Sequence, residues 1–161
     1  MKNYFIAASL IVLAGCATTE DRADIDTTPQ PVAVETSSIE AGSQADLEAN
    51  ANHRVYFAYD EYTLSPQAQS TLRQQADWLK ANPEVQVQLA GHADERGTRE
   101  YNLALGSRRA GSAKSFLVGL GVEASRIDTV SHGKERPVAL GTGESVWAQN
   151  RNSTTTVMAA R

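Results

Sequence analysis

Val85-Gln86-Val87-Gln88-Leu89-Ala90 alternates apolar side chains with polar or small ones, and Gly91-His92-Ala93-Asp94-Glu95-Arg96-Gly97-Thr98 follows without that period. Behind the loop, Leu103, Gly106, Ala110, Ala113, Leu117 and Leu120 recur at steps of three and four, up to Gly121. Period two marks a strand with one buried face, and steps of three and four mark a helix with one apolar stripe. The stretch predicts a strand, a loop and a long helix stopped at Gly121. Glycine and alanine on the stripe let the helix lie close to a sheet.

The flanking segments extend this alternation. Val55 to Tyr59 has strand composition, and Ser65-Pro66 opens a helix with proline at its first position. Leu72, Ala76 and Leu79 form its apolar stripe before Asn82-Pro83 ends it. Ile127 to Ser131 reads as a third strand, Glu144 to Asn150 as a short helix, and Ser153 to Ala160 as a last, threonine-rich strand. The order βαβαβ(α)β predicts an α/β (α+β) two-layer sandwich, its helices packed on one mixed four-stranded sheet. The closing strand is more polar than a central strand should be.

Composition bounds the possibilities. The chain has 161 residues, 41% hydrophobic and 6% aromatic, with a formal charge of -4 and one cysteine. That length suffices for one modest domain. A single cysteine excludes an intrachain disulfide framework and a zinc site built from several thiolates.

The cysteine sits in an informative place. Lys2 precedes an almost wholly apolar run from Tyr4 to Leu13, too short to cross a bilayer core of roughly 30 Å as a helix. Such a run is the core of a signal peptide, here residues 1–15. Leu13-Ala14-Gly15-Cys16 then resembles a bacterial lipobox. That resemblance implies an S-diacylglycerol and an N-acyl chain, palmitate among them, on Cys16 and no other cofactor. Acyl chains hold a protein on a membrane without a spanning helix. Ala17 stands where an aspartate would signal inner-membrane retention, which favours the periplasmic face of the outer membrane.

From Ala17 to Asn52 there is no aromatic residue and no lasting apolar period, and eight acids stand against one base. Such a segment cannot bury enough apolar area to offset the entropy of ordering it. Residues 16–52 are expected to be a lipidated N-terminus and disordered acidic tether with a contour of about 120 Å. The domain is expected at 53–161, where 13 bases stand against 11 acids. Arg96, Arg99, Arg108, Arg109 and Lys114 fall close together, either as a solvated face or as a binding face. No interleaved aromatics accompany them, which argues against nucleic acid.

Asn102, Leu105 and Arg109 lie at i, i+3 and i+7 and share a helix face bordering the core. An arginine there can offer its planar fork to a carboxylate. Asp60 and Asp94 each follow a strand. Carboxylate on one side and guanidinium on the other would suit a zwitterion carrying ammonium and carboxylate on one carbon. Equally, Asp94 can cap the helix or close an internal salt bridge. Spacing alone does not bring Asp94 to Arg109.

Four blocks now carry a family resemblance: Val55-Tyr56-Phe57 running to Asp60, Gly91 to Thr98, Tyr101 to Ala110, and Ser131-His132-Gly133-Lys134-Glu135-Arg136-Pro137. Together they resemble the OmpA-like peptidoglycan-binding domain family, and within it the lipid-anchored Pal branch. The resemblance implies a structural protein, not an enzyme, that grips peptidoglycan noncovalently and ties the outer membrane to the wall. It further implies a place in a Tol-Pal type system serving envelope integrity and cell division. Asp94 and Arg109 match the residues that hold the free amino-acid end of meso-diaminopimelate in the peptide stem. Asn102 and Leu105 match pocket-lining positions, and Tyr59 and Asp60 match first-loop contacts. A periplasmic partner, TolB, and other Tol proteins follow from the same resemblance, and a protein-interaction module centred on TolB is the alternative.

Two positions depart from the family pattern. Ala58 replaces an acid, and Asn152 replaces an arginine, with weaker anchoring of the last strand as the expected consequence. Other classes find little support. His92-x-Asp94-Glu95 is the nearest approach to a metal or catalytic set, yet neighbouring residues on one loop cannot all point inward. Gly133-Lys134 has Asp128 where a phosphate loop needs glycine.

Overall fold

The computed structural model describes residues 39–158. The signal peptide, Cys16 and the tether up to residue 38 lie outside the described residues, as do positions 159–161. Eight elements follow in order: α1 (Gln44–Asn50), β1 (Arg54–Tyr56), α2 (Pro66–Ala81), β2 (Gln86–His92), α3 (Arg99–Gly119), β3 (Ile127–Gly133), α4 (Glu144–Asn150) and β4 (Asn152–Met158). The sheet order is β1-β4-β2-β3, with β2 and β3 parallel and the other pairs antiparallel. This is the mixed four-stranded sheet that the sequence predicts.

The local signals explain the elements. Ser65 caps α2 through its hydroxyl, which accepts from the Ala68 amide at 3.2 Å, and Pro66 opens the helix. Thr98 caps α3 in the same way, accepting from Tyr101 at 3.2 Å. Leu72, Ala76 and Leu79 of α2 and Ala110, Ala113 and Leu117 of α3 join Val55, Val87, Leu89 and Ile127 of the sheet in one core. Gly91 and Gly106 set how closely α3 approaches. A β-carbon at Gly91 would lie 1.8 Å from the Gly106 carbonyl oxygen, so even alanine is excluded while helix and strand keep this distance.

The polarity of β4 has a structural reason. Although central, it buries Ser153 and Thr155, and the Thr155 hydroxyl donates at 2.8 Å to Oε1 of the fully buried Gln75. A buried hydroxyl with a partner carries little penalty, which accounts for Thr155 but not for Ser153, whose buried hydroxyl has no hydrogen-bond partner. Thr154 and Thr156 point to the opposite face. Asn152 is fully buried but satisfied, donating to the Gln149 carbonyl at 2.7 Å and accepting from Thr154 at 2.9 Å. Its amide thus secures the start of β4, against the expectation of weakened anchoring.

The boundary at residue 53 is corrected. α1 lies within the expected tether, yet Leu47 is wholly buried and Trp78 donates its indole N–H to Asp46 at 3.0 Å. Gln44 reaches β4, accepting from the Val157 amide at 2.8 Å. One leucine, a Ser43 cap and two side-chain staples hold seven residues whose averaged composition reads as coil. Composition over 36 residues dilutes so short a signal.

Candidate functional site

β2, β1 and α3 converge at one end of the sheet. Between Gly91 and His92 the β2–β3 register shifts, and the Ala93 amide donates to the Gly133 carbonyl at 2.8 Å. This irregularity turns the chain just before Asp94. Asn102 then ties the loop back along α3, donating to the carbonyls of Arg96 at 2.8 Å and Thr98 at 3.1 Å. Asp94 and Arg109 therefore border one cavity although fifteen positions separate them. Tyr59, Asp60, Asn102 and Leu105 line it too, so all six residues singled out in the sequence meet there, with Arg96, Gly97 and Tyr101 added. Its volume is about 220 Å³.

Arg109 is fully buried, and backbone carbonyls orient it. Nε donates to Glu61 at 2.8 Å, Nη1 to His92 at 2.8 Å and Nη2 to Ala58 at 3.2 Å. Three of the five guanidinium N–H groups are thereby used, leaving one on each terminal nitrogen. Guanidinium N–H groups of this kind are the donors that pair with a carboxylate. Burial lowers Arg109 to about 10, opposed by the attraction of Asp94, so it remains a cation at neutral pH. Ala58 presents its carbonyl here, so the missing acidic side chain leaves this contact intact.

Asp94 is buried and paired, but not with Arg109. Its Oδ2 lies 2.6 Å from Arg96 Nη2 and 3.5 Å from Arg151 Nη1, and its Oδ1 accepts from the Arg96 backbone N–H at 3.1 Å. Burial raises its pKa, yet the Arg96 hydrogen bonds and charge outweigh this and hold it below 3.8. The internal salt bridge exists, then, with two other arginines, while helix capping falls to Thr98. Asp60 has the left-handed φ of 57°, which aspartate tolerates better than most residues. It accepts the Tyr101 hydroxyl proton through Oδ1.

Spacing did not reveal the second layer around Asp94. Arg96 stacks between Tyr59, 4.0 Å from the ring centre, and Trp147, at 4.2 Å. Glu144 binds Arg151 at 2.6 Å, and Trp147 donates to Glu95 at 2.8 Å. Arg96 has a local signal, since Asp-x-Arg permits a two-residue bite. Trp147 and Glu144 arrive from α4 and Arg151 from the residue that follows it, some fifty residues away. The five clustered cations disperse: Arg109 is buried, Lys114 donates to the Ile127 carbonyl, and Arg99 faces Glu135 at 3.5 Å.

His92 points elsewhere. Its Nδ1 lies 3.0 Å from the Arg136 carbonyl and its ring centre 5.2 Å from that of His132. Among the described residues no group of three His, Cys, Asp or Glu side chains could hold a metal ion. Burial lowers the pKa of both imidazoles, with Arg136 repelling a second charge in each case. The unfolded chain therefore takes up protons near pH 6.5 that the folded chain does not. Stability falls as pH drops through this range, well before Asp94 is protonated. Denaturant midpoints at pH 7.5 and 5.0 should differ in that direction, and His92→Gln should reduce the difference; equal midpoints in the parent chain would contradict it.

With this geometry in view, the comparisons are specific. The OmpA family matches residues 56–151. A peptidoglycan-associated lipoprotein of Mesorhizobium japonicum is 43% identical over 155 residues, covering 94% of this chain and 89% of its own. The chain belongs to the peptidoglycan-associated lipoproteins of the OmpA family. A second such lipoprotein, from Agrobacterium fabrum, is 50% identical over 114 residues, 71% of this chain and 64% of that one. Among solved structures, the peptidoglycan-associated lipoprotein of Burkholderia pseudomallei is 45% identical with a TM-score of 0.64, covering 66% of this chain and 90% of that one. Membership in this family covers the fold and the lipoprotein class.

Proposed function

We propose that this lipoprotein holds the free amino-acid end of meso-diaminopimelate in the 220 Å³ cavity. The observation that carries the reading is a buried guanidinium and a buried carboxylate on one cavity, the former with two N–H groups to spare. Arg109 takes the carboxylate. The ammonium goes to Asp94, with Asp60 assisting through its second oxygen. Because Arg96 already holds Asp94, binding shares or displaces that contact. Leu105 gives the apolar wall for the methylene chain, Asn102 holds the loop, and Tyr59 covers the mouth.

The remaining parts follow. Acylated Cys16 anchors the chain in the outer membrane, facing the periplasm. With α1 counted in the domain, residues 17–42 reach about 90 Å when extended, not about 120 Å. Tethering raises the local concentration of wall sites, so each contact can be weak and exchangeable while the layers stay apposed. A Tol-Pal role with TolB as competing partner is favoured by exposed Tyr59, Tyr101 and Val138 and by Leu140, 85% exposed on the loop before α4. Replacing Cys16 with serine should move the full chain from the membrane pellet to the soluble fraction. Unchanged fractionation would refute the anchor.

A further inference from the structure

At the end of the sheet away from the cavity, β4 outruns its neighbour. β1 pairs with it only from Arg54 opposite Thr154 to Tyr56 opposite Asn152, and the Thr155 amide adds one bond to the His53 carbonyl at 2.7 Å. Among the described residues no strand lies on that side of β4 beyond Thr155. One side chain meets the groups left over. Gln44 accepts from the Val157 amide through Oε1 at 2.8 Å, and its Nε2 lies 3.5 Å from the Thr155 carbonyl. The first residue of α1 thus stands in for a missing strand, covering an edge that would otherwise carry unpaired backbone groups.

α1 is held lightly. Leu47 is its only buried residue, and Asp46 adds the 3.0 Å bond from the Trp78 indole. Elements with so little buried apolar surface open well below the global stability. α1 is also the first element that the chain forms on its way from Cys16. A pull from that side, against a hold at the cavity, meets the contacts of α1 one after another from its N-terminus. β1 responds differently. It runs antiparallel to β4, and Tyr59 and Asp60 of the cavity follow its far end. The same pull acts along its axis, so its ladder bonds must fail together.

Resting on the anchor at Cys16 and the grip at the cavity proposed above, the geometry points to α1 as a strap that releases under tension between membrane and wall and docks again when the tension falls, while β1 and the core stay folded. Its seven residues span about 10 Å as a helix and about 24 Å when extended, so release adds roughly 13 Å of reach before the pull arrives at β1. The cavity lies at the opposite end of the sheet, so release leaves the grip intact. Docking again needs only the Leu47 pocket and the Gln44 and Asp46 bonds, all formed with elements that have not moved.

The test is single-molecule stretching of the unacylated chain from Cys16 onward. Cys16 is the only cysteine, so its thiol takes one handle, and exposed Glu135, just past the cavity end of β3, takes the other as Glu135→Cys. The parent should show a small reversible lengthening, of about 13 Å or somewhat more, at a force below that of global unfolding. Leu47→Ala should shift this step to lower force or abolish it while the global step stays in place, and Leu47→Met should restore it. A parent that lengthens only on global unfolding, or a small step unchanged in Leu47→Ala, overturns the strap. Folded Leu47→Ala should also bind a diaminopimelate-containing stem peptide as the parent does, and a selective loss there would tie α1 to the cavity and equally overturn it. Because the handles apply the pull, the stretching result stands apart from the site reading. Failure of parent and variant alike to bind the peptide would count against that reading alone.

Discussion

Asp94→Ala should abolish sedimentation of the full chain with purified peptidoglycan, a loss of more than about 100-fold in affinity. Two effects act in the same direction. The ligand ammonium loses its buried counter-charge, and removing one member of a desolvated charge pair typically costs about 2 to 5 kcal/mol. In addition, Arg96 loses the carboxylate that holds it at 2.6 Å, so a free guanidinium faces the incoming ammonium. The fold should persist, weakened by about 2 to 4 kcal/mol. Arg151 keeps Glu144 and the Phe57 carbonyl, and Arg96 keeps its two aromatic faces. Circular dichroism and a thermal melt establish the fold; near-parent sedimentation by a folded Asp94→Ala chain would reject the assignment.

Arg109→Ala should behave differently, because it strikes stability first. The side chain is fully buried and bridges three backbone carbonyls from two segments, at Ala58, Glu61 and His92. Truncation leaves those acceptors without partners and opens a cavity beneath Phe57, whose ring lies 5.3 Å from the guanidinium carbon. A cost of about 3 to 5 kcal/mol follows, a large fraction of the roughly 5 to 15 kcal/mol available to a domain. Loss of binding in this variant therefore does not by itself identify a ligand contact. Denaturant unfolding measures the effect. A midpoint shift worth less than about 1 kcal/mol would mean that the carbonyl contacts contribute little.

The contrast between these variants shows what the sequence could and could not convey. Helix spacing placed Asn102, Leu105 and Arg109 on one face because 3.6 residues per turn is a local rule. It could not say that Arg109 spends three donors on backbone, since two of the acceptors come from the β1–α2 segment. Asp94 and Arg109 met because Asn102 folds the loop back, a contact that depends on an irregularity at Gly91/His92 and has no periodic signature. The aromatic sandwich around Arg96 depends on α4, whose Trp147 belongs to no recognisable pattern with the loop. The strand order likewise rests on long-range pairing, whereas Ser65, Thr98 and the proline at 66 mark helix starts locally. Misplacement of the domain boundary has a similar origin, because a single Leu47 decides whether α1 docks.

The proposed anchor at Cys16 bears on attachment and reach, whereas the cavity bears on recognition of a zwitterion. Calorimetric titration of the full chain with a diaminopimelate-containing stem peptide, beside the same peptide carrying lysine, tests it most directly. Lysine keeps the ammonium and lacks the second carboxylate, so it leaves the two free N–H groups of buried Arg109 unpaired. A charge-assisted hydrogen bond of about 1.5 to 3 kcal/mol predicts a preference for diaminopimelate of about 10- to 100-fold. Equal affinity for the two peptides would contradict the account.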